Sequence, residues 1–280
     1  MKKICFAFLL MTSFGQAQLL YQISGNGLTA ASYLYGTIHM LPKDQFELSN
    51  SLKRAFDAST TLAMEVDLNM SGAEKIALAQ RVLLPEGKTL KDFMTEQDYL
   101  QLKMYCLDSL QWSESKFDRS SKLKPMFFSS ILIQESMRNM ASYEMEFNKM
   151  AKKKHKNVMG LETIDFQLGL FDQLPMETQV DMLKKDYNSD LQTFDTLLAC
   201  YLQEDLDKLN VLMNAETAAY PEFNELLLVN RNKSWISPMG IQMQKESTFF
   251  AVGAGHLGGA QGVIALLREA GYTVTAIKQN

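Results

Sequence analysis

The sequence predicts an α/β fold, one β-sheet carrying a large helical insertion or cover, and three observations carry that expectation. Short apolar, β-rich runs recur near both ends of the chain and around its middle. The long stretches between them place apolar residues at three- and four-residue spacing. Two of the short runs end in the same device, Gly36 to His39 and Gly253 to His256, which uses two of the three histidines in 280 residues.

Leu19 to Ser24 and Ser32 to Ile38 read as strands joined by Gly25-Asn-Gly-Leu-Thr-Ala-Ala, the pattern of an antiparallel hairpin with a loose loop. His39 leaves the second strand. Ser49 or Asn50 caps a helix to about Ala58, and Thr60 to Asp67 forms the next strand. Alternation puts Leu62, Met64 and Val66 on one face of it and Ala63, Glu65 and Asp67 on the other. From about residue 72 to 156 the pattern is helical, with Ile76, Ala79, Val82 and Leu83 in phase and breaks at Pro85-Glu-Gly87 and Pro125. Asn157 to Glu162 is a short strand that delivers Glu162 at its exit. Further amphipathic helices fill about 175–244 and carry Arg231. Phe249 to Val252 is a buried strand that stops where Gly253 and Gly255 let the backbone turn, leaving His256 at its carboxyl end. A helix expected from near Gly259 would aim its free N–H groups at the same crevice. Tyr272 to Ile277 closes the sheet.

Residues 1–17 have a basic start, an apolar middle and small residues at Gly15 and Ala17, the pattern of a cleavable export signal. Cleavage after Ala17 would leave a single domain over 18–280 with no transmembrane segment, in the periplasm or secreted. Loss of Lys2 and Lys3 makes the formal charge of −4 more negative by two, which argues against nucleic acid as a partner. Cys5 departs with the signal. Cys106 and Cys200 remain in helical segments, as two free thiols or one disulfide.

Imidazole and carboxylate together suit a divalent metal such as zinc, manganese or cobalt. Spacing alone does not bring the two motifs together, because about two hundred residues separate them. The bland alternative for each histidine is a hydrogen-bonded residue at a strand end. Glu65 is a metal ligand, a general base, or a partner for a loop or helix cap. Glu162 and Asp165 would also suit a helix start, and Arg231 either binds a carboxylate or developing oxyanion or forms a surface ion pair. His155, inside Lys152-Lys-Lys-His-Lys156, reads as a solvated surface residue. The eighteen methionines read as core. A serine hydrolase would need a Gly-x-Ser-x-Gly turn, and a nucleotide site a Walker lysine or a full dinucleotide fingerprint; neither occurs.

Taken together, Tyr35-Gly-Thr-Ile-His-Met40, Ala63-Met-Glu-Val-Asp67, Gly160-Leu-Glu-Thr163, Arg231-Asn232 and Val252-Gly-Ala-Gly-His256 resemble the TraB/PrgY/GumN family, which includes the Tiki proteases. The resemblance runs from about Leu19 to Ile277 and implies a central mixed β-sheet flanked by helices, similar to the erythromycin-esterase and ChaN-like proteins. It implies a metal-dependent peptidase or hydrolase, with manganese or cobalt favoured and zinc allowed. His39, His256 and Glu65 are then the metal set, and Glu65, Glu162 and Arg231 the catalytic set. The expected substrate is a peptide or small molecule. Two other readings stand beside it: a noncatalytic binder of a peptide or small ligand, as in pheromone-inhibiting members, and a metal-free esterase with a histidine base. On the peptidase reading, His39→Ala and His256→Ala each abolish activity and spare the fold.

Overall fold

A computed structural model describes residues 18–136, 139–188 and 192–280, so the expected export signal lies outside the described residues. In chain order the strands are β1 (Leu20–Gly25), β2 (Ser32–Thr37), β3 (Leu41–Pro42), β4 (Thr61–Val66), β5 (Met140–Ala141), β6 (Asn157–Glu162), β7 (Thr248–Gly253) and β8 (Tyr272–Ala276). Six of them form a mixed sheet in the order β6-β4-β7-β2-β1-β8, flanked by helices. The neighbours β6, β4, β7 and β2 run parallel, whereas β1 pairs antiparallel with both β2 and β8. The hairpin of β1 and β2 is therefore continuous with a parallel centre.

This order decides where the chemistry lies. Thr37 pairs with Gly253 at the ends of β2 and β7, and Val66 pairs with Glu162 at the ends of β4 and β6. Parallel strands share a carboxyl edge, so both Gly-x-x-His motifs, Glu65 and Glu162 come out on one side of the sheet, where ligands bind in open α/β folds. Central strands of this kind are covered on both faces. Phe249, Phe250, Ala251 and Val252 of β7 are accordingly buried, as are Leu62, Ala63 and Met64 of β4.

The helix Asn50–Ala58 shows why the flanking layers form. Ser49 Oγ accepts from the Leu52 N–H as N-cap, and Leu52, Ala55 and Phe56 fall on one buried stripe. Phe56 stands 5.4 Å edge-on to Phe249, and Phe147 lies 5.0 Å from Phe249 on the same face. Burying a side chain of this size contributes roughly 1.5–3 kcal/mol. A second buried cluster, including Leu90, Leu102, Phe117, Phe128 and Leu183, forms among the helices inserted between β4 and β6 together with the helix Met176–Asn188. Cys106 and Cys200 are free and buried, and burial pushes the Cys106 thiol up to about 12. No described helix is long and apolar enough to cross a membrane.

Three local features depart from the sequence expectation. The helical stretch before β6 contains β5, which pairs antiparallel with β3; two residues per strand are too few to leave a period. After β7 the chain makes a 3-10 turn, Ala254–His256, and the next helix begins at Val263. It cannot begin at Gly259, whose φ of +77° lies in the left-handed region. Thirdly, Glu225–Val229 is a π-helical segment feeding the helix Asn230–Lys245, a local form often found at functional sites.

Candidate active site

Gly253 ends β7 with φ −53° and brings no side chain to the cluster. A Cβ built there would lie 3.2 Å from Glu65 Oε1, 3.5 Å from His256 Cδ2 and 4.0 Å from His39 Nε2. One small gap is thus bounded by all three of these residues, which stand far apart in sequence. The Gly253 N–H donates to Glu65 Oε1 at 2.8 Å, so the strand end itself fixes the carboxylate.

Arg231 occupies the deep side of this cluster. The helix Asn230–Lys245 places it one turn before Trp235, on the same buried face. Its Nε donates to both oxygens of Glu162 at 3.0 and 3.1 Å. Nη2 donates to Glu162 Oε2 at 2.9 Å and to Glu65 Oε2 at 2.6 Å. Nη1 donates to the Leu227 carbonyl at 2.9 Å and to His256 Nε2 at 3.2 Å. A guanidinium has five N–H groups, and each has a partner within the protein. Arg231 is therefore a buried hub tying β4, β6 and the turn after β7 together. It has no spare donor for the substrate carboxylate or oxyanion expected from the sequence.

The two histidines live in opposite surroundings. The His256 side chain is 6% exposed, whereas that of His39 is 71% exposed. Asn232 Nδ2 donates to the Gln261 carbonyl at 2.9 Å, which leaves Asn232 Oδ1 to accept from His256 Nδ1 at 2.6 Å. Since Arg231 donates to Nε2, the hydrogen-bond network assigns His256 as neutral imidazole with its proton on Nδ1. Burial lowers its pKa to about 4, and Arg231 and His39 act in the same direction. Its ring lies 4.5 Å from that of Trp235, whose Nε1 donates to Glu162 Oε1 at 2.8 Å. His256 is thus part of the packed wall and does not project into solvent.

His39 Nδ1 is 2.9 Å from Glu144 Oε1. Thr37 Oγ1 donates to the same oxygen at 2.6 Å, and Ser142 Oγ to Glu144 Oε2 at 2.8 Å. The hydrogen bond to the Glu144 carboxylate raises His39 to about 9. The Nε2 atom stays free to face the gap. For Glu65, burial pushes the pKa up, but His256, Arg231, His39 and the Gly253 N–H outweigh it and hold the carboxyl down to about 2. Gln167 Nε2 also donates to Glu65 Oε2, at 3.1 Å. Glu65 is consequently an anion held by three hydrogen-bond donors, Gly253 N–H, Arg231 and Gln167, and a weak base.

Glu144 is the participant that sequence reading did not find. It lies 105 residues from His39, and Ser142-Tyr-Glu144 reads locally as a helix start. Asn232 is legible beside Arg231, yet only the fold shows it holding His256. His155 is exposed, outside this cluster.

His39 Nε2 and Glu65 Oε1 are donors that suit a divalent ion, and both border the gap. His256 Nε2 does not join them, because its lone pair already accepts from Arg231. Among the described residues no three His, Cys, Asp or Glu side chains are arranged to hold a metal. The set His39, Glu65 and His256 thus does not fit an ion as it stands.

Beyond the gap a cleft of about 550 Å³ opens between the sheet edge and the helices after residue 192. No solved structure matches the chain. Metalloprotease TIKI1 of Danio rerio is 23% identical over 301 residues, covering 87% of this chain and 60% of that protein. The chain therefore spans about 60% of the length of this curated relative. The description of the TraB/PrgY/gumN family matches residues 19–276, from the start of β1 to the end of β8, and the chain belongs to that family.

Proposed function

We propose that the protein is a hydrolase of peptide bonds whose reacting centre is the gap over Gly253. The observation that carries this reading is the shared approach of His39 Nε2, Glu65 Oε1 and His256 to one open point at the sheet's carboxyl edge, beside a cleft. The likeness to a metalloprotease supports the peptide class. Glu144 orients His39 as a carboxylate orients the histidine of a catalytic triad, leaving Nε2 to handle a proton. A water between His39 Nε2 and Glu65 Oε1 would give its proton to Nε2 as its oxygen adds to the carbonyl. The same proton then passes to the departing amine. Glu65 holds the water by accepting its other hydrogen. Arg231, Glu162, Asn232 and His256 act through position, by keeping Glu65 ionised and in place.

A divalent ion of the manganese, cobalt or zinc kind is the finer part of the family reading, supported by the same metalloprotease likeness. No step above passes through it. Export to the periplasm or medium belongs to this reading too, supported by the pattern of residues 1–17. The test is a digest of an internally quenched peptide library by the chain from Gln18 onward, with and without chelator, beside His39→Ala. Turnover that His39→Ala abolishes supports the proposal. Loss on chelation with recovery on added manganese assigns the ion, and survival of full activity in chelator rejects it. Binding of peptide without turnover sinks the hydrolase in favour of the binding module.

A further inference from the structure

The cleft beside the reactive cluster is polar at one end and apolar along its walls. Its polar end is the cluster itself. The walls are Phe194, Leu197, Leu209, Met213, Phe223 and Leu227, drawn from the helices Gln192–Leu202 and Leu206–Thr217 and the segment from Pro221 to Val229. Met213 lies so close to the turn after β7 that any Cβ at Gly255 would collide with its thioether. A flexible, polarisable side chain thereby floors the cleft.

The charges at the polar end are already committed. All five N–H groups of Arg231 have protein partners. Glu65 accepts at both oxygens, and Glu144 faces His39. When His39 is neutral, as the base role requires, the three carboxylates Glu65, Glu144 and Glu162 face the single cation Arg231, and the centre is negative. A terminal carboxylate entering here meets a negative centre with no free guanidinium donor. An aspartate side chain would be stripped of water against apolar walls and would meet that negative centre, which is costly. A bulky apolar side chain instead gains by leaving water, and a volume of 550 Å³ is in the usual range for a ligand site.

From this we infer, on the hydrolase reading above, that the cleft selects an uncharged segment inside a peptide chain with a bulky apolar residue beside the scissile amide. The protein is then an endopeptidase of apolar stretches rather than an enzyme that trims carboxyl termini. Phe223 is the wall residue best suited to a test, being half-buried and outside the hydrogen-bonded cluster.

The probes are internally quenched peptides, acetylated and amidated, of one sequence with either Phe or Asp at a single internal position, plus the same Phe peptide as a free acid with that residue last. The expected result is internal cleavage of the Phe peptide at least about tenfold faster than of the Asp peptide, with the free acid left untrimmed. Phe223→Asp should reduce that preference about tenfold or more, and Phe223→Leu should retain it, with urea unfolding confirming that both fold. Fluorescence anisotropy of the labelled Phe and Asp peptides reads binding without turnover. Turnover that ignores the residue, or that removes terminal residues, overturns the inference and leaves the hydrolase standing. Preferential binding of the Phe peptide, weakened by Phe223→Asp but without turnover, keeps the cleft assignment and overturns the hydrolase. Equal binding of both peptides without turnover overturns both.

Discussion

Arg231 and Glu162 form a buried fork in which Nε and Nη2 of the guanidinium meet both carboxylate oxygens at 2.9 to 3.1 Å. The pair is also stacked against Trp235, with the guanidinium 4.9 Å from its ring centre. Bidentate geometry of this kind is specific to arginine. The fork holds β6 to the helix Asn230–Lys245 and leaves Nη2 with one N–H for Glu65. Burying two carboxylates at the sheet edge depends on that single cation.

Replacing Arg231 by Met should therefore destabilise the protein by about 3–5 kcal/mol, the usual cost of leaving a buried charge without its partner. Arg231→Lys should recover only part of it, since an ammonium cannot span Glu162, Glu65, His256 and the Leu227 carbonyl together. Urea unfolding measures both. A loss below about 1 kcal/mol for Arg231→Met would show that the hub is not structural.

The two Gly-x-x-His motifs should give unlike mutants, against the expectation that both spare the fold. His39→Ala opens no buried hole and loses only a solvent-exposed ion pair with Glu144, so stability should fall by no more than about 1 kcal/mol while peptide hydrolysis is lost. His256→Ala opens a hole beside Trp235 and strips partners from Asn232 and Arg231, a cost of about 2–3 kcal/mol. Glu144→Gln replaces the carboxylate whose charge-assisted hydrogen bond raises His39 to about 9 by a neutral amide, a weaker acceptor. If His39 acts as the base, kcat/KM of the parent rises with pH toward 9, and Glu144→Gln moves that rise down toward 6.5. A pH profile that Glu144→Gln leaves in place would refute the dyad.

Acid should unfold the protein through the same cluster. Glu65 is held at about 2 in the fold against an ordinary value of 4.5, so its stabilisation is present above 4.5 and is lost as pH falls through 2. His256 is lowered from 6.5 to about 4, so the unfolded chain binds its proton first and stability already declines as pH drops from 6.5. His39 acts in the other direction: raised to about 9, its contribution is full below 6.5 and fades as pH rises through 9. Urea midpoints from pH 3 to pH 9 should show a maximum near neutrality. A stability profile that is flat between pH 6.5 and pH 4 would contradict the neutral, buried His256.

Much of this site was legible because strand ends leave local marks. Gly36 to His39 and Gly253 to His256 show a glycine turn after an apolar run, and alternation in β4 puts Glu65 opposite Met64. What the residues alone could not show was the pairing of strands remote in sequence, such as Thr37 with Gly253. Glu144 stayed hidden for the same reason, since its partner His39 is a hundred residues away and its own neighbours explain it as part of a helix start. The burial of His256 was invisible too. It depends on Asn232 and Trp235 arriving from a helix whose face cannot be oriented without the fold.

Export is tested directly in the native host. The pattern of residues 1–17 places the first residue of the mature chain at Gln18 or a near neighbour, which intact-mass analysis of the extracytoplasmic fraction should find. Recovery of soluble protein that begins at Met1, in the cytoplasm alone, would refute the assignment.

Gly253→Ala is the most economical test of where the reaction occurs. With φ −53° the backbone accepts alanine without strain, and replacing glycine at such a position removes freedom from the unfolded chain, a gain of about 0.4–1 kcal/mol. The new Cβ, however, would sit 3.2 Å from Glu65 Oε1 and 4.0 Å from His39 Nε2, inside the gap. Glu65 can yield only a few tenths of an ångström, because the Gly253 N–H, Arg231 and Gln167 all hold it. The two effects on stability are opposed and small, so the unfolding midpoint should change by less than about 1 kcal/mol. Hydrolysis should fall by about tenfold or more, since a methyl group displaces whatever His39 and Glu65 hold between them. The outcome does not depend on whether that is a water alone or a water on an ion. A folded Gly253→Ala protein with full activity would place the chemistry somewhere other than this gap.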